Sequence, residues 1–395
     1  MLFSIAMIIM VGLCFGWLCK LCKIPSLFGM ILGGILIGPY CANWLDSSIL
    51  SISSDLRRIA LIIILIRAGL KLNLEDLKKV GRPAILMCFL PACVEMIGMI
   101  LLAPRILGMN VLDAAILGAV IGAVSPAVVV PRMIRLIDEG YGTKQGIPQM
   151  ILAGASVDDV FVIVMFTAFT GLAQGQEVSV MSFVNIPISI LLGIFVGFFM
   201  GYGVWKYFSK IKMSNLVMAI LFLSISFLLS TVETKFPRIP LASLIAIMAM
   251  GVAVKRMDST MAKNLSSQFD KMWSVAEIFL FVLVGASVAI DHAKEAGLRA
   301  IILVLLVLVF RMLGVFFCVL GTKLSFKERL FCMIAYTPKA TVQAAIGGLP
   351  LAMGLPCGEV VLTVSVVAIL LTAPLGAFGI DGTYKKWLVS EKEEV

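Results

Sequence analysis

The chain alternates long apolar runs with short polar breaks. Thirteen runs read as membrane-crossing helices: 1–19, 25–42, 50–69, 84–104, 112–131, 148–172, 182–205, 214–232, 239–254, 273–290, 299–320, 329–348 and 358–380. A helix needs about 20 mostly apolar residues to cross the hydrocarbon core. The first run lacks the charged leading region of a signal peptide, so it is kept as a span. No run of polar residues is long enough for a soluble domain, and 381–395 reads as a short cytoplasmic tail. The pattern predicts an all-α polytopic membrane protein with about thirteen transmembrane helices.

Composition agrees. Of 395 residues, 61% are hydrophobic and 14% charged, with a mean hydropathy of +1.08. A soluble domain carries about 25% charged residues. A soluble enzyme, a disordered chain and a nucleic-acid binder are therefore excluded, and the expected partner is the lipid bilayer. The net charge is +9. Placed on the alternating spans, 22 cations fall on one side and 7 on the other. Lys and Arg accumulate on the cytoplasmic side. The expected topology is N-terminus outside and C-terminus cytoplasmic, in a plasma membrane. The nine cysteines are scattered through apolar runs and read as reduced packing residues. The lone histidine, His292, argues against a His-rich metal site or a Ser/His/Asp hydrolase. No cofactor is expected.

Three cations remain at membrane depth, Arg67, Arg311 and Lys339, together with the acids Glu95, Asp158 and Asp159. Each such charge costs about 2.5–3.5 kcal/mol on insertion scales, so it needs a partner or a function. Asp158 and Asp159 stand half way along run 148–172. Neighbouring helix positions point about 100° apart, so the two carboxylates face different surroundings. Low dielectric and mutual repulsion disfavour a doubly ionised pair, which exchanges protons as a coupled unit. Oxygen ligands of this kind also hold a hard cation, in competition with protons. The structural alternative is an acid pair neutralised by Arg or Lys. Arg311 stays charged and needs an acid; Glu95 is the leading partner, with Asp158 or Asp159 as rivals. Lys339 offsets a helix end or pairs with an aspartate. Arg67, near a span end, is expected to snorkel.

Two spans are interrupted. GAVSPAVVVPRM carries Ser125, Pro126 and Pro131; AYTPKATVQAAIGG carries Thr337 and Pro338. Proline removes a backbone donor and breaks the helical ladder. Both breaks share a hydroxyl–proline dipeptide, and the two spans run in opposite directions across the membrane. Runs 1–6 and 8–13 then form an inverted repeat. Interrupted helices at matching positions of two repeats point to a transporter's midplane site.

The stretches RAGLKL (67–72), GAVSPAVVVP (122–131), GYGTKQGIP (140–148), GASVDDV (154–160) and PKATVQAAIG (338–347) resemble the cation/proton antiporter superfamily, most closely its NHA-type sodium/proton exchangers. The resemblance implies an inverted-repeat antiporter fold with two crossed discontinuous helices, and a homodimer. It assigns 1–83 and 173–298 to the dimerisation side, and 84–172 and 299–380 to the ion-translocating core. It carries the ion-binding pair onto Asp158 and Asp159, and the family's charged residues onto Glu95, Arg311 and Lys339. Many bacterial Asp-Asp antiporters have a lysine at the position of Arg311, which leaves the aspartates as the proton carriers here. The expected activity is exchange of Na⁺ or Li⁺ for H⁺ by alternating access. Na⁺ would be held by Asp158 and Asp159 with help from Ser156 and carbonyls near Val128 and Val129. The rival readings are a Na⁺-coupled organic anion symporter and an intramembrane aspartyl protease.

Overall fold

The computed structural model describes residues 1–22, 24–71, 81–174, 180–211, 213–236, 241–288 and 290–390; the side chains of 156, 160, 180–187, 190, 234 and 290–296 lie outside that description. The described chain is helical, without strands; one isolated bridge joins Tyr141 and Ser390. In chain order the helices are α1 (Leu2–Leu21), α2 (Ser26–Ile37), α3 (Ser47–Ser51), α4 (Ser53–Lys71), α5 (Arg82–Met87), α6 (Leu90–Leu107), α7 (Val111–Ile121), α8 (Pro126–Glu139) and α9 (Ile147–Ala173). Then follow α10 (Val180–Lys210), α11 (Asn215–Lys235), α12 (Ser243–Met257), α13 (Ser259–Ala286), α14 (Ile290–Val319), α15 (Phe326–Ala335), α16 (Thr341–Ile346), α17 (Leu349–Ala352) and α18 (Gly358–Trp387).

Every one of the thirteen apolar runs is mostly helical. Among the described residues, eight helical stretches have the length and apolarity to cross a membrane. Helices α2 and α12 are shorter, α4 and α13 carry more charge, and run 329–348 is split into α15 and α16. Length and composition therefore establish a polytopic helical protein, while the count of thirteen crossings is left open by these five.

The chain divides into two compact units. One comprises Met1–Ser54, Asn73–Thr170 and Leu280–Val395; the other comprises Asp55–Leu72 and Gly171–Phe279. Residues 1–54 thus fall in the unit that also holds the interrupted helices, whereas the division expected from sequence groups them with 55–83.

The second unit is packed through small residues. Gly193, Gly197 and Gly201 form a stripe along α10 facing Ala242, Ala246, Ala249, Met250 and Ala253 on and beside α12. Without hydrophobic drive between helices in lipid, such close backbone approach supplies the packing. A Cβ at Gly197 would lie 2.3 Å from the Ala246 carbonyl oxygen. Arg67 of α4 finds an acid near the span end: its Nε donates to Asp270 Oδ1 at 2.7 Å, and its guanidinium lies over Trp273.

The first unit carries the breaks. Helix α7 ends at Ile121, and α8 begins with Pro126 at its first position, where a missing N–H costs nothing. Helix α8 ends at Gly140, whose φ of +80° suits a residue without a Cβ. Pro131 does not interrupt α8. It lies inside the continuous helix, and the discontinuity is confined to residues 122–125. Helix α15 ends at Ala335 and α16 starts at Thr341, with Pro338 between them. Gly376 of α18 admits this proline: a Cβ there would meet Pro338 Cγ at 2.4 Å.

A bulky side chain in the glycine stripe should cost about 1–3 kcal/mol, as overpacking does. Gly197→Val should accordingly lower the melting temperature in detergent. Gly203→Ala, on the same helix with nothing within 4 Å of the added Cβ, should leave it unchanged or slightly raised. Equal shifts in the two variants, followed by scanning fluorimetry, would contradict this packing.

Candidate functional site

Five buried ionisable side chains meet in the first unit. Helix α6 supplies Glu95, α9 supplies Asp158 and Asp159, α14 supplies Arg311, and the break between α15 and α16 supplies Lys339. Glu95, Asp158, Arg311 and Lys339 are 0–1% exposed; Asp159 is 7% exposed.

Arg311 is the centre. Its Nη1 donates to Glu95 Oε2 at 2.8 Å, and its Nη2 to Asp158 Oδ2 at 2.8 Å. Its Nε donates to the Tyr336 carbonyl at 2.7 Å, and Nη1 also donates to the Gly122 carbonyl. Four of the five guanidinium N–H groups are thereby used. Each carbonyl belongs to a different break: Gly122 follows α7, and Tyr336 follows α15. Helix ends leave unpaired carbonyls that carry partial negative charge. A single cation therefore satisfies two acids and both helix ends. The guanidinium also sits 5.0 Å from the Tyr336 ring centroid, and the Tyr336 hydroxyl donates to the Met87 carbonyl at 2.9 Å.

The remaining bonds lock the breaks together. Lys339 Nζ donates to Glu95 Oε2 at 2.6 Å, and Lys339 N donates to Thr372 Oγ1 at 2.9 Å. Ser125 N donates to the Pro338 carbonyl at 2.7 Å, a direct bond from one break to the other. Val124 N donates to Asp158 Oδ2 at 2.8 Å. Gln343 Nε2 lies 3.0–3.2 Å from the carbonyl oxygens of Val120, Ile121 and Ala123.

Asp159 stands apart. Among the described residues its carboxylate has no ion pair, and its buried Oδ1 has no hydrogen-bond partner. Asp158 Oδ1, Ser125 Oγ, Thr341 Oγ1 and Gln343 Oε1 are likewise buried without partners. Unpartnered buried oxygens are costly in a well-packed interior. Their concentration on the two breaks and on α9 is suited to receiving a proton or a cation.

A family model described as "Sodium/hydrogen exchanger, transmembrane" matches residues 5–385. The chain belongs to the sodium/hydrogen exchanger family. It is 34% identical over 372 residues to sodium/hydrogen exchanger 9B2 of Mus musculus, covering 90% of this chain and 66% of that protein. It is 32% identical over 371 residues to sodium/hydrogen exchanger 9B1 of Homo sapiens, covering 90% and 70%. The chain thus spans about two thirds of the length of the relatives it matches. Its fold is similar to the solved structure of the sodium proton antiporter MjNhaP1 from Methanocaldococcus jannaschii, with a TM-score of 0.84 over 97% of both chains at 20% identity. A member of this family is a multi-pass membrane transporter and not an enzyme.

Several expectations about this family member change on contact with the geometry. Arg311 does not choose between Glu95 and Asp158; its fork reaches both. Lys339 pairs with Glu95 and with neither aspartate. Val128 and Val129 lie inside α8, where carbonyls are committed to the helix, and Val128 O also accepts from Arg132 Nη1 at 2.9 Å. The carbonyls released by the break belong to residues 120–123, and they are already taken by Gln343 and Arg311. The Thr337 hydroxyl turns back to the Ile334 carbonyl at 2.8 Å, unlike that of Ser125. The side chain of Ser156 lies outside the described residues. Gln343 and Tyr336 were missed. Gln343 had a signal: it is the one amide in the short buried helix TVQAAI.

Removing one partner of a buried ion pair costs about 3–5 kcal/mol, whereas part-exposed pairs contribute about 0–1 kcal/mol. Arg311→Met should therefore lower the melting temperature in detergent far more than Arg67→Gln, which breaks the part-exposed pair with Asp270. Similar losses in the two variants would remove Arg311 from the centre of the site.

Proposed function

We propose that this chain exchanges Na⁺ (or Li⁺) for H⁺ across the membrane, with Asp159 as the carboxylate on which ion and proton compete. One observation carries the reading. Of the five buried charges in this cluster, Arg311 and Lys339 are matched by Glu95 and Asp158, and Asp159 is left over. An uncompensated carboxylate at membrane depth is expensive. It is neutralised by a proton or by a small cation, and one occupant excludes the other. Asp158, with Oδ1 unpartnered and Oδ2 held by Arg311 and Val124 N, contributes a second oxygen without leaving its partners.

Exchange then moves one H⁺ for one Na⁺ through a single site reached alternately from either side. Each cycle neutralises Asp159 in both directions, so it transfers no net charge. Arg311 keeps its proton throughout. The protein works as a homodimer in a plasma membrane, with its N-terminus outside and its C-terminus in the cytoplasm. An aspartyl protease needs two carboxylates facing each other across separate helices. Here they are adjacent on α9, with Asp158 bound to a guanidinium.

In proteoliposomes, Asp159→Asn should abolish sodium-driven proton movement while the purified protein stays folded. Asp158→Asn should impair both transport and thermal stability, because it also removes one of the two acids that pair with Arg311. Wild-type exchange should run at the same rate with the membrane voltage clamped at zero or left free. Near-wild-type exchange by Asp159→Asn would overturn the site.

A further inference from the structure

Helix α7 ends inside the protein, and its final carbonyls need donors. The Gly122 carbonyl has Arg311. Those of Val120, Ile121 and Ala123 share one nitrogen, Gln343 Nε2, at 3.2, 3.1 and 3.0 Å. A carboxamide has two N–H groups. Three acceptors around two hydrogens is closer to the coordination of a cation than to ordinary one-to-one hydrogen bonding. Backbone carbonyls that converge on one point can replace part of the hydration shell of a large monovalent cation. The nitrogen of Gln343 stands where these three oxygens converge.

Charge explains why an amide suits the position. A lysine would satisfy the same carbonyls but add a third cation to the cluster, matching its three acids one for one and leaving none over. A glutamate would present oxygen to oxygen and add a fourth acid. Glutamine satisfies the helix end and leaves the count of buried charges unchanged. Its side chain is 1% exposed, and it comes from α16, so the second interrupted helix caps the first.

We propose that Gln343 is a positioning and selectivity residue: it plugs the carbonyl cradle at the end of α7 with a neutral donor, so that cations are held by the aspartates and larger ions find no site. The inference rests on the proposed exchange at Asp159 and adds a residue whose nitrogen acts on the carbonyls.

Two variants test it in proteoliposomes. Gln343→Met keeps the length of the side chain and loses both donors. Loss of such hydrogen bonds should raise the KM for Na⁺ about 5-fold or more, with Vmax within about 2-fold of wild type. K⁺ should leave the wild type unaffected and become a competitor of Na⁺ in this variant. Gln343→Lys keeps the donors and adds the charge. It should stay folded, with a melting temperature at or above that of wild type, and lose sodium-dependent proton flux. An unchanged KM and continued indifference to K⁺ in Gln343→Met would reduce Gln343 to packing. Wild-type flux in Gln343→Lys would refute the role of charge. The two readings fail separately. If wild type moves no protons with Na⁺, the exchange reading falls. The plug is then judged by thermal shift alone: K⁺ should stabilise Gln343→Met and leave wild type unmoved, and equal shifts would overturn it.

Discussion

The guanidinium of Arg311 is the contact on which the rest of the site depends. A buried arginine cannot release its proton, and its planar fork must find acceptors in fixed directions. Here the fork reaches Glu95, Asp158 and the carbonyls that close α7 and α15. Two interrupted helices, each ending in unpaired carbonyls within an apolar interior, would otherwise be poor neighbours. One cation makes their ends compatible. The bond from Ser125 N to the Pro338 carbonyl and the amide of Gln343 complete the joint with neutral groups. The pairing is strong because its groups are buried in a low dielectric, and for the same reason it cannot be left half made.

What is held in place matters less than what is left over. Glu95 is occupied by two cations, and Asp158 by one cation and one backbone amide. Asp159, one position along α9, points to different surroundings and has none of these partners. It is also the most exposed of the five charges, at 7%. A fixed network beside a free carboxylate separates two tasks. In the proposed exchange the network holds the crossing in place while the free carboxylate changes occupant. A lysine in place of the arginine could release its proton, as a guanidinium cannot, and the charge moved per cycle would then change.

Much of this was legible in the sequence. The helical, membrane-embedded class followed from thirteen apolar runs. The breaks followed from Ser125-Pro126 and Thr337-Pro338, because proline removes a backbone donor. Asp158 and Asp159 stood out because charges at membrane depth are rare. The distribution of partners was not legible. Sequence says that Arg311 needs acids; only geometry shows one fork serving Glu95, Asp158 and two helix ends. Lys339 was free to choose any acid until the crossing brought Glu95 to it. Pro131 looked like a breaker, but it falls within α8, past a start already set by Pro126. Gln343 was passed over because it is uncharged, although an amide among apolar neighbours carries the same kind of message. Arg67 found Asp270 from a distant helix, a partner that its distance from the span end did not reveal.

The central claim is that one carboxylate holds either a proton or a cation. Counting protons on ion binding tests it without transport. Na⁺ is titrated into the purified protein in buffers of different ionisation heats, and calorimetry reports the protons released per ion bound. Because the ligand must be deprotonated to bind the ion, the account predicts release of about one proton per Na⁺ as the site fills from its protonated state, and none from Asp159→Asn. Na⁺ binding by wild type from that state without proton release, or undiminished release from Asp159→Asn, would contradict it.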